Sequence, residues 1–205
     1  MYRPPAFRED RPDVLRAAIL AHPLATLVTA GDRGIVANVI PFSLAATARG
    51  DVLRAHLARA NEQVADLRAG ASALVLFQGP QAYVSPSWYA SKRVHAKVVP
   101  TWNYVIVQAR GTARMIDDPA WLLEQIANLT TAAEEDQLEP WTVADAPDDF
   151  IRGQLKGIVG VEITVDRLEG KWKVSQNRSR EDRISVADGL RAAGNHQVAD
   201  LIPHD

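Results

Sequence analysis

Cysteine is absent from the 205 residues. That excludes disulfide staples, thiolate nucleophiles, Cys-ligated zinc and iron–sulfur clusters. No apolar run reaches the roughly 18 residues of a membrane span. The opening Met1-Tyr2-Arg3-Pro4-Pro5 has none of the apolar core of a secretory signal. A soluble, cytoplasmic protein with no membrane partner is expected. Also missing are a Gly-x-Gly-x-x-Gly fingerprint, a P-loop, a Gly-x-Ser-x-Gly elbow and a His-Glu-x-x-His pair. His22, His56 and His95 have no regular ligand spacing, so no metal site is expected.

Acid is missing locally rather than globally. Net charge is −2, yet no Asp or Glu occurs from Leu67 to Ile116, where Arg68, Lys92, Arg93, Lys97, Arg110 and Arg114 all lie. The following stretch, 117–151, has ten carboxylates and no Lys or Arg. One reading is a solvated acidic helix after a basic sheet. The sharper one is an anion site in the basic segment, since nearby carboxylates would weaken binding of a phosphate.

What is present is a globular composition, 47% hydrophobic and 23% charged, with enough chain for one domain and its own core. Asp10 and Pro12 mark a helix start, and the helix stops by His22-Pro23. Strands are expected over 24–30, 35–42, 51–57, 73–78, 81–85, 104–115, 158–168 and 171–175, with turns at 31–34, 48–50 and Gly170. Helices are expected near 61–70, from Asp118-Pro119, and over 150–156. Residues 86–101 read as a structured loop, and the tail as two short helices broken near Gly194-Asn195. Consecutive strands joined by tight turns make a mostly antiparallel sheet. The fold class is mainly β with flanking helices, one domain over 1–205 with a helical tail, and a small antiparallel barrel fits the pattern.

Three segments carry polar, aromatic and basic residues too densely for plain core. In Arg54-Ala55-His56-Leu57-Ala58-Arg59-Ala60-Asn61 a strand ends and a helix begins, and free N–H groups at such a junction attract anions. A surface Arg59 beside an ordinary Asn61 cap is the plainer alternative. Tyr83-Val84-Ser85-Pro86-Ser87-Trp88-Tyr89, Lys92, Lys97 and Pro100-Thr101-Trp102-Asn103-Tyr104 suit a flat heteroaromatic ligand or a dimer interface equally. Gly170-Lys171-Trp172-Lys173-Val174-Ser175-Gln176-Asn177-Arg178 is either a protected sheet edge or a polar tip that needs partners.

Together with Met1-Tyr2, Pro4, Phe7 and 22–27, these segments resemble the PaiB-like family of FMN-binding negative transcriptional regulators. The most specific pieces are Pro100-Thr101-Trp102-Asn103-Tyr104 and Lys173-x-Ser175-Gln176-Asn177-Arg178. The resemblance implies an FMN-binding split β-barrel and a homodimer with FMN between subunits. It implies that the flavin ring lies along Ala37, Asn38, Val39 and Ile40, and that His56, Ala58, Arg59 and Asn61 hold its phosphate. Lys171, Trp172, Lys173, Ser175 and Gln176 would reach flavin or substrate from the other subunit, and Tyr83, Ser85, Trp102 and Asn103 would cover the ring. Lys97 joins Arg59 as an anion-binding candidate. One departure stands out: the Ser-Arg-Lys pattern of related oxidases reads Ala58-Arg59-Ala60 here.

The leading expectation is a flavoprotein in which FMN supplies the redox chemistry and no catalytic side chain is assigned. Its substrate is not legible. A non-catalytic regulator is the alternative. Without a helix-turn-helix signature or a basic balance, direct DNA contact is not favoured. A haem-binding barrel with an axial histidine is the third.

Overall fold

The computed structural model describes residues 1–204 apart from Arg33 and Arg49. Two residues of the expected turns therefore lie outside the described residues. The strands are β1 Arg8–Glu9, β2 Leu24–Gly31, β3 Gly34–Pro41, β4 Ser43–Thr47, β5 Gly50–Ala58, β6 Ser72–Val84, β7 Thr101–Ile116 and β8 Ile158–Lys173. The helices are α1 Pro12–Ala21, α2 Gln63–Arg68, α3 Lys92–His95, α4 Pro119–Glu134, α5 Asp148–Lys156, α6 Arg180–Ala192 and α7 His196–Asp200. Strand order is β3-β2-β6-β7-β8-β5-β4, with β1 beside β8. The registered pairs are antiparallel, for example Leu27 opposite Asn38 and His56 opposite Gly160. The expected antiparallel sheet with flanking helices is thus present.

Two compact units divide the chain. One comprises Met1–Ala18, Gln78–Val107 and Glu169–Asp205; the other comprises Ile19–Phe77 and Gln108–Leu168. In the first unit, Val84, Tyr89, Val105, Val186, Leu190 and Ile202 are buried in one cluster, with Trp88 and Trp172 packed against it. This cluster explains the two C-terminal helices. They lay Val186, Leu190 and Val198 against strand residues, and Gly194 at φ +78 supplies the left-handed break between them. In the second unit, Leu27, Leu53, Val75, Phe77 and Ile163 are buried. Phe42 meets Phe77 edge-on at 5.9 Å.

The structure corrects three local expectations. The strands read on either side of Gly79-Pro80 are one strand, β6. A proline is compatible with a strand wherever its missing N–H faces no partner. Gly170 makes no turn: it lies inside β8, opposite Glu9. A Cβ there would come within 2.3 Å of Leu15 Cδ2 and 2.6 Å of Trp172 Cζ3, so the residue serves close approach instead. Finally, 43–47 forms β4, which the residues themselves signal weakly. Only Thr47 in that stretch is β-branched, and the segment has little intrinsic strand preference.

Candidate functional site

In the second unit, β3 stands at the end of the strand order and, among the described residues, pairs with β2 alone. Half of its backbone N–H and C=O groups therefore face away from any partner strand. Its side chains alternate. Ile35, Ala37, Val39 and Pro41 are exposed, whereas Val36, Asn38 and Ile40 are partly covered. Ile35 is 79% and Val39 61% exposed, an apolar face beside free backbone polar groups.

Asn38 points the other way, into a hydrogen-bonded cluster. Its Nδ2 donates to Gln63 Oε1 at 3.0 Å and to Asn61 Oδ1 at 3.4 Å. Gln63 is fully buried. Its Nε2 donates to Leu27 O and Thr29 Oγ1, both at 3.1 Å, and to Val36 O at 3.3 Å. The side chain of Gln63 thus ties α2 to β2 and β3 and fixes the strand that carries the apolar face. The sequence marks Asn61-Glu62-Gln63 only as a cap. Asn61 does accept from Gln63 N at 2.9 Å, but nothing in the sequence marks Gln63 as buried.

Arg59 follows β5. Its Nε donates to Lys156 O at 3.0 Å, and its guanidinium is hydrogen-bonded to Asp117. Arg68 donates to the same carboxylate at 3.2 Å. These two partners hold Asp117 below the usual carboxylate range, Arg59 most strongly. Two guanidiniums against one carboxylate leave a local excess of one positive charge. Ala58, beside Arg59, is exposed at the end of β5 and pairs with Ile158.

His56, two residues earlier, donates from Nδ1 to Gln125 Oε1 at 2.8 Å. Gln125 is 2% exposed, and its Nε2 finds no partner. His56 lines a cavity of about 580 Å³ with Leu20, Pro41, Leu44, Arg54 and Leu129. Pro41 belongs to the exposed face of β3 as well, so that face leads into this cavity. Arg54 sits over Trp121 at 5.8 Å and donates to Glu162 at 2.9 Å; Arg114 donates to the other Glu162 oxygen at 2.7 Å.

Burial pushes the Glu162 carboxyl up, but the two arginines outweigh it and hold the group below its ordinary range. A depressed carboxylate stabilises the fold above its unfolded pKa of about 4.3, and that stabilisation is lost as pH falls through the folded value. The melting-temperature difference between wild type and Glu162→Gln is therefore expected to be largest near neutrality and to shrink below about pH 4. Thermal unfolding across that range checks it, and a pH-independent difference would contradict it.

The first unit gathers a second set of expected residues. Lys171 lies over the rings of Tyr2 and Tyr104, at 5.6 and 5.3 Å. Lys173 donates to Thr101 Oγ1 and, at 2.6 Å, to Trp102 O. Burial lowers the Lys173 pKa, and the charges of Lys171 and Arg178 lower it further. Tyr83 and Trp102 meet edge-on at 6.0 Å and are both exposed. Asn103 Nδ2 donates to Ser175 Oγ at 3.0 Å, deep in the fold. Gln176 turns inward on its own loop, donating to Trp172 O at 2.5 Å and accepting from Val174 N at 2.8 Å. Ser85 accepts from Ser87 N, Trp172 packs on the core, and exposed Lys97 lines a pocket with Arg178 and Asn177. The expected residues thus fall into two groups, eight in the second unit and ten in the first.

A protein-family model described as "Putative FMN-binding domain" matches residues 1–167. The chain belongs to this family. An uncharacterized protein of Emericella nidulans shares 35% identity, over 95% of this chain and 92% of its own. Protease synthase and sporulation protein PAI 2 of Bacillus subtilis is 29% identical over 98% of this chain and 96% of its own. The resemblance read from the motifs is borne out. Among solved structures, the conserved hypothetical protein Rv2991 of Mycobacterium tuberculosis has a TM-score of 0.61 at 12% identity, covering 87% of this chain and 94% of its own. The FAD and heme binding protein of Mycobacterium smegmatis has a TM-score of 0.56 at 20% identity, covering 81% and 73%. At these identities the likeness concerns the fold alone, and that fold is the split barrel expected above. The family match ends before Lys171, so the late cationic segment lies beyond it.

Among the described residues no helix is long and apolar enough to cross a membrane.

Proposed function

We propose that this member of the FMN-binding family is a flavoprotein that holds FMN along the outward face of β3 and uses it in a redox or redox-sensing role. The observation that carries the reading is the β3 edge. It offers a flat apolar face beside unpaired backbone donors and acceptors, held in place by Gln63 from behind. Such an edge suits a ring with an apolar body and a polar rim.

The residues present fit the group. Ala37 and Val39 would lie against the ring, and backbone groups of 37–40 would meet its polar rim. Arg59, with the one positive charge that Asp117 leaves over, would hold the phosphate. Bound FMN would supply hydride or single-electron transfer. The chain's own part is to orient the ring, and to offer through the adjoining cavity an apolar chamber with one imidazole and one guanidinium for a small molecule. A second copy of the chain is proposed to cover the exposed edge and to bring its aromatic and cationic groups to the ring, which makes the protein a homodimer. A regulatory role, as the resemblance suggests, would then act through the flavin's state or a protein partner rather than through direct DNA contact. Cytoplasmic location completes the proposal.

The test is a comparative titration. Riboflavin lacks the phosphate and is expected to bind at least about tenfold more weakly than FMN, the worth of one charge-assisted contact. Equal affinity would remove Arg59 from the phosphate role, and failure of both to bind would overturn the reading.

A further inference from the structure

The first unit contains a small polar cavity to which nothing above assigns an occupant. Its volume is about 50 Å³, and Tyr89, Thr101, Lys173, Ser175, Asn177 and Arg178 contribute to its wall. A single water needs roughly 10–15 Å³ measured this way, so the space suits a few waters or one small oxyanion.

The chemistry of the wall selects the oxyanion. Lys173 and Arg178 both line it, and among the described residues neither is paired with a carboxylate. Asp182, which borders the adjoining pocket with Arg178, gives its two oxygens to Ser91 N and Ser91 Oγ, each at 2.8 Å. An ammonium has three donors, and Lys173 uses two, on Thr101 and Trp102. One is left. Arg178 stacks over the Tyr89 ring at 5.1 Å.

Tyr89 supplies the independent observation. The residue is 2% exposed, and its hydroxyl makes no hydrogen bond of ordinary length and angle, although the Arg178 guanidinium acts on it both as a charge and as a donor. Burial pushes this phenol up, against the pull of the Arg178 charge, so it is a donor at neutral pH. A buried hydroxyl without a partner costs stability. The turn beside it carries Ser175 at φ +62, a conformation that a residue with a Cβ disfavours and that tends to persist at functional sites.

We propose that this cavity is a binding site for a small tetrahedral or planar oxyanion, either free or as the phosphate or carboxylate of a small metabolite, held by Lys173, Arg178 and the Tyr89 hydroxyl. An anion here gives the phenol an acceptor, uses the spare ammonium proton and relieves the repulsion that Lys171 and Arg178 exert on Lys173. The site does not rest on the flavin reading.

Inorganic phosphate is the probe, titrated into the flavin-free full chain with chloride at matched ionic strength as the control. Phosphate is expected to raise the melting temperature beyond chloride. Arg178→Gln is expected to weaken phosphate binding by roughly 10–100-fold, the loss of a charge-assisted contact. Tyr89→Phe is the sharper variant. It removes a hydroxyl that makes no well-formed hydrogen bond in the empty cavity, so the unliganded protein should lose little stability, while phosphate affinity falls roughly three- to tenfold. A Tyr89→Phe protein that is less stable without phosphate and binds it normally would overturn the proposal. So would a wild type indifferent to phosphate. FMN affinity of Arg178→Gln identifies the source of the anion: unchanged affinity supports a free oxyanion or metabolite, and a parallel loss supports the phosphate of the flavin itself. The same titration in the Arg59→Glu background, where the proposed flavin-phosphate site is removed, should still show the binding that Arg178→Gln and Tyr89→Phe weaken, so failure of the flavin assignment leaves this test readable.

Discussion

Arg59→Glu is expected to lower FMN affinity at least about 100-fold while leaving riboflavin affinity close to wild type. The size follows from charge. Arg59 and Arg68 share Asp117, and together the three groups carry one net positive charge. The substitution changes that to one net negative charge, facing a phosphate of roughly −1.5 to −2 at pH 7. Attraction becomes repulsion, and one charge-assisted bond is lost as well. Folding should survive, because the Arg59 side chain is 39% exposed and exposed ion pairs contribute little to stability. Arg59→Lys should retain part of the affinity, since it keeps charge but not the planar fork. Quenching of flavin fluorescence gives both constants. Wild-type FMN affinity in the Arg59→Glu variant would move the phosphate elsewhere, and equal losses for FMN and riboflavin would mean that the substitution disturbs the site as a whole.

Val39→Arg is expected to convert the proposed homodimer to a monomer and, with it, to abolish most flavin retention. In a single chain Val39 is 61% exposed and Ile35 on the same face 79%. Replacing such a residue on a free surface should change stability by no more than about 0.5 kcal/mol. On a face covered by a second copy, the same change places an unpaired charge in an apolar contact, which is expensive. The two cases separate cleanly by light scattering after size exclusion. A halved mass with an intact circular-dichroism spectrum supports the covered edge. A wild type that is already monomeric, with a variant that loads flavin equally well, would contradict it.

Much of this arrangement was legible in the residues. Strands over 24–30 and 35–42 around a turn at 31–34 are readable, within a residue of the observed β2–β3 hairpin. Asp118 was readable as a helix cap, and its side chain accepts from Ala120 N at 2.9 Å. The dense polar and aromatic segments led to the family. What escaped reading depended on contacts distant in sequence. Gly170 looked like a turn because its role is set by Leu15 and Trp172, which pack where a Cβ would stand. Gln63 looked like a cap because its buried hydrogen bonds run to residues 27, 29 and 36. Gln176 and Arg178 are two residues apart in one motif, yet the first closes its own loop and the second lines a cavity. Tyr89 carried no signal beyond being aromatic; only its burial without a well-formed hydrogen bond distinguishes it.

The central claim is that this chain carries FMN, and its most direct measurement is the visible absorption spectrum of the 205-residue protein, incubated with FMN and then desalted. The account predicts retained flavin bands at close to one flavin per chain. A protein that elutes without visible absorption, its flavin wholly in the salt fraction, would contradict it.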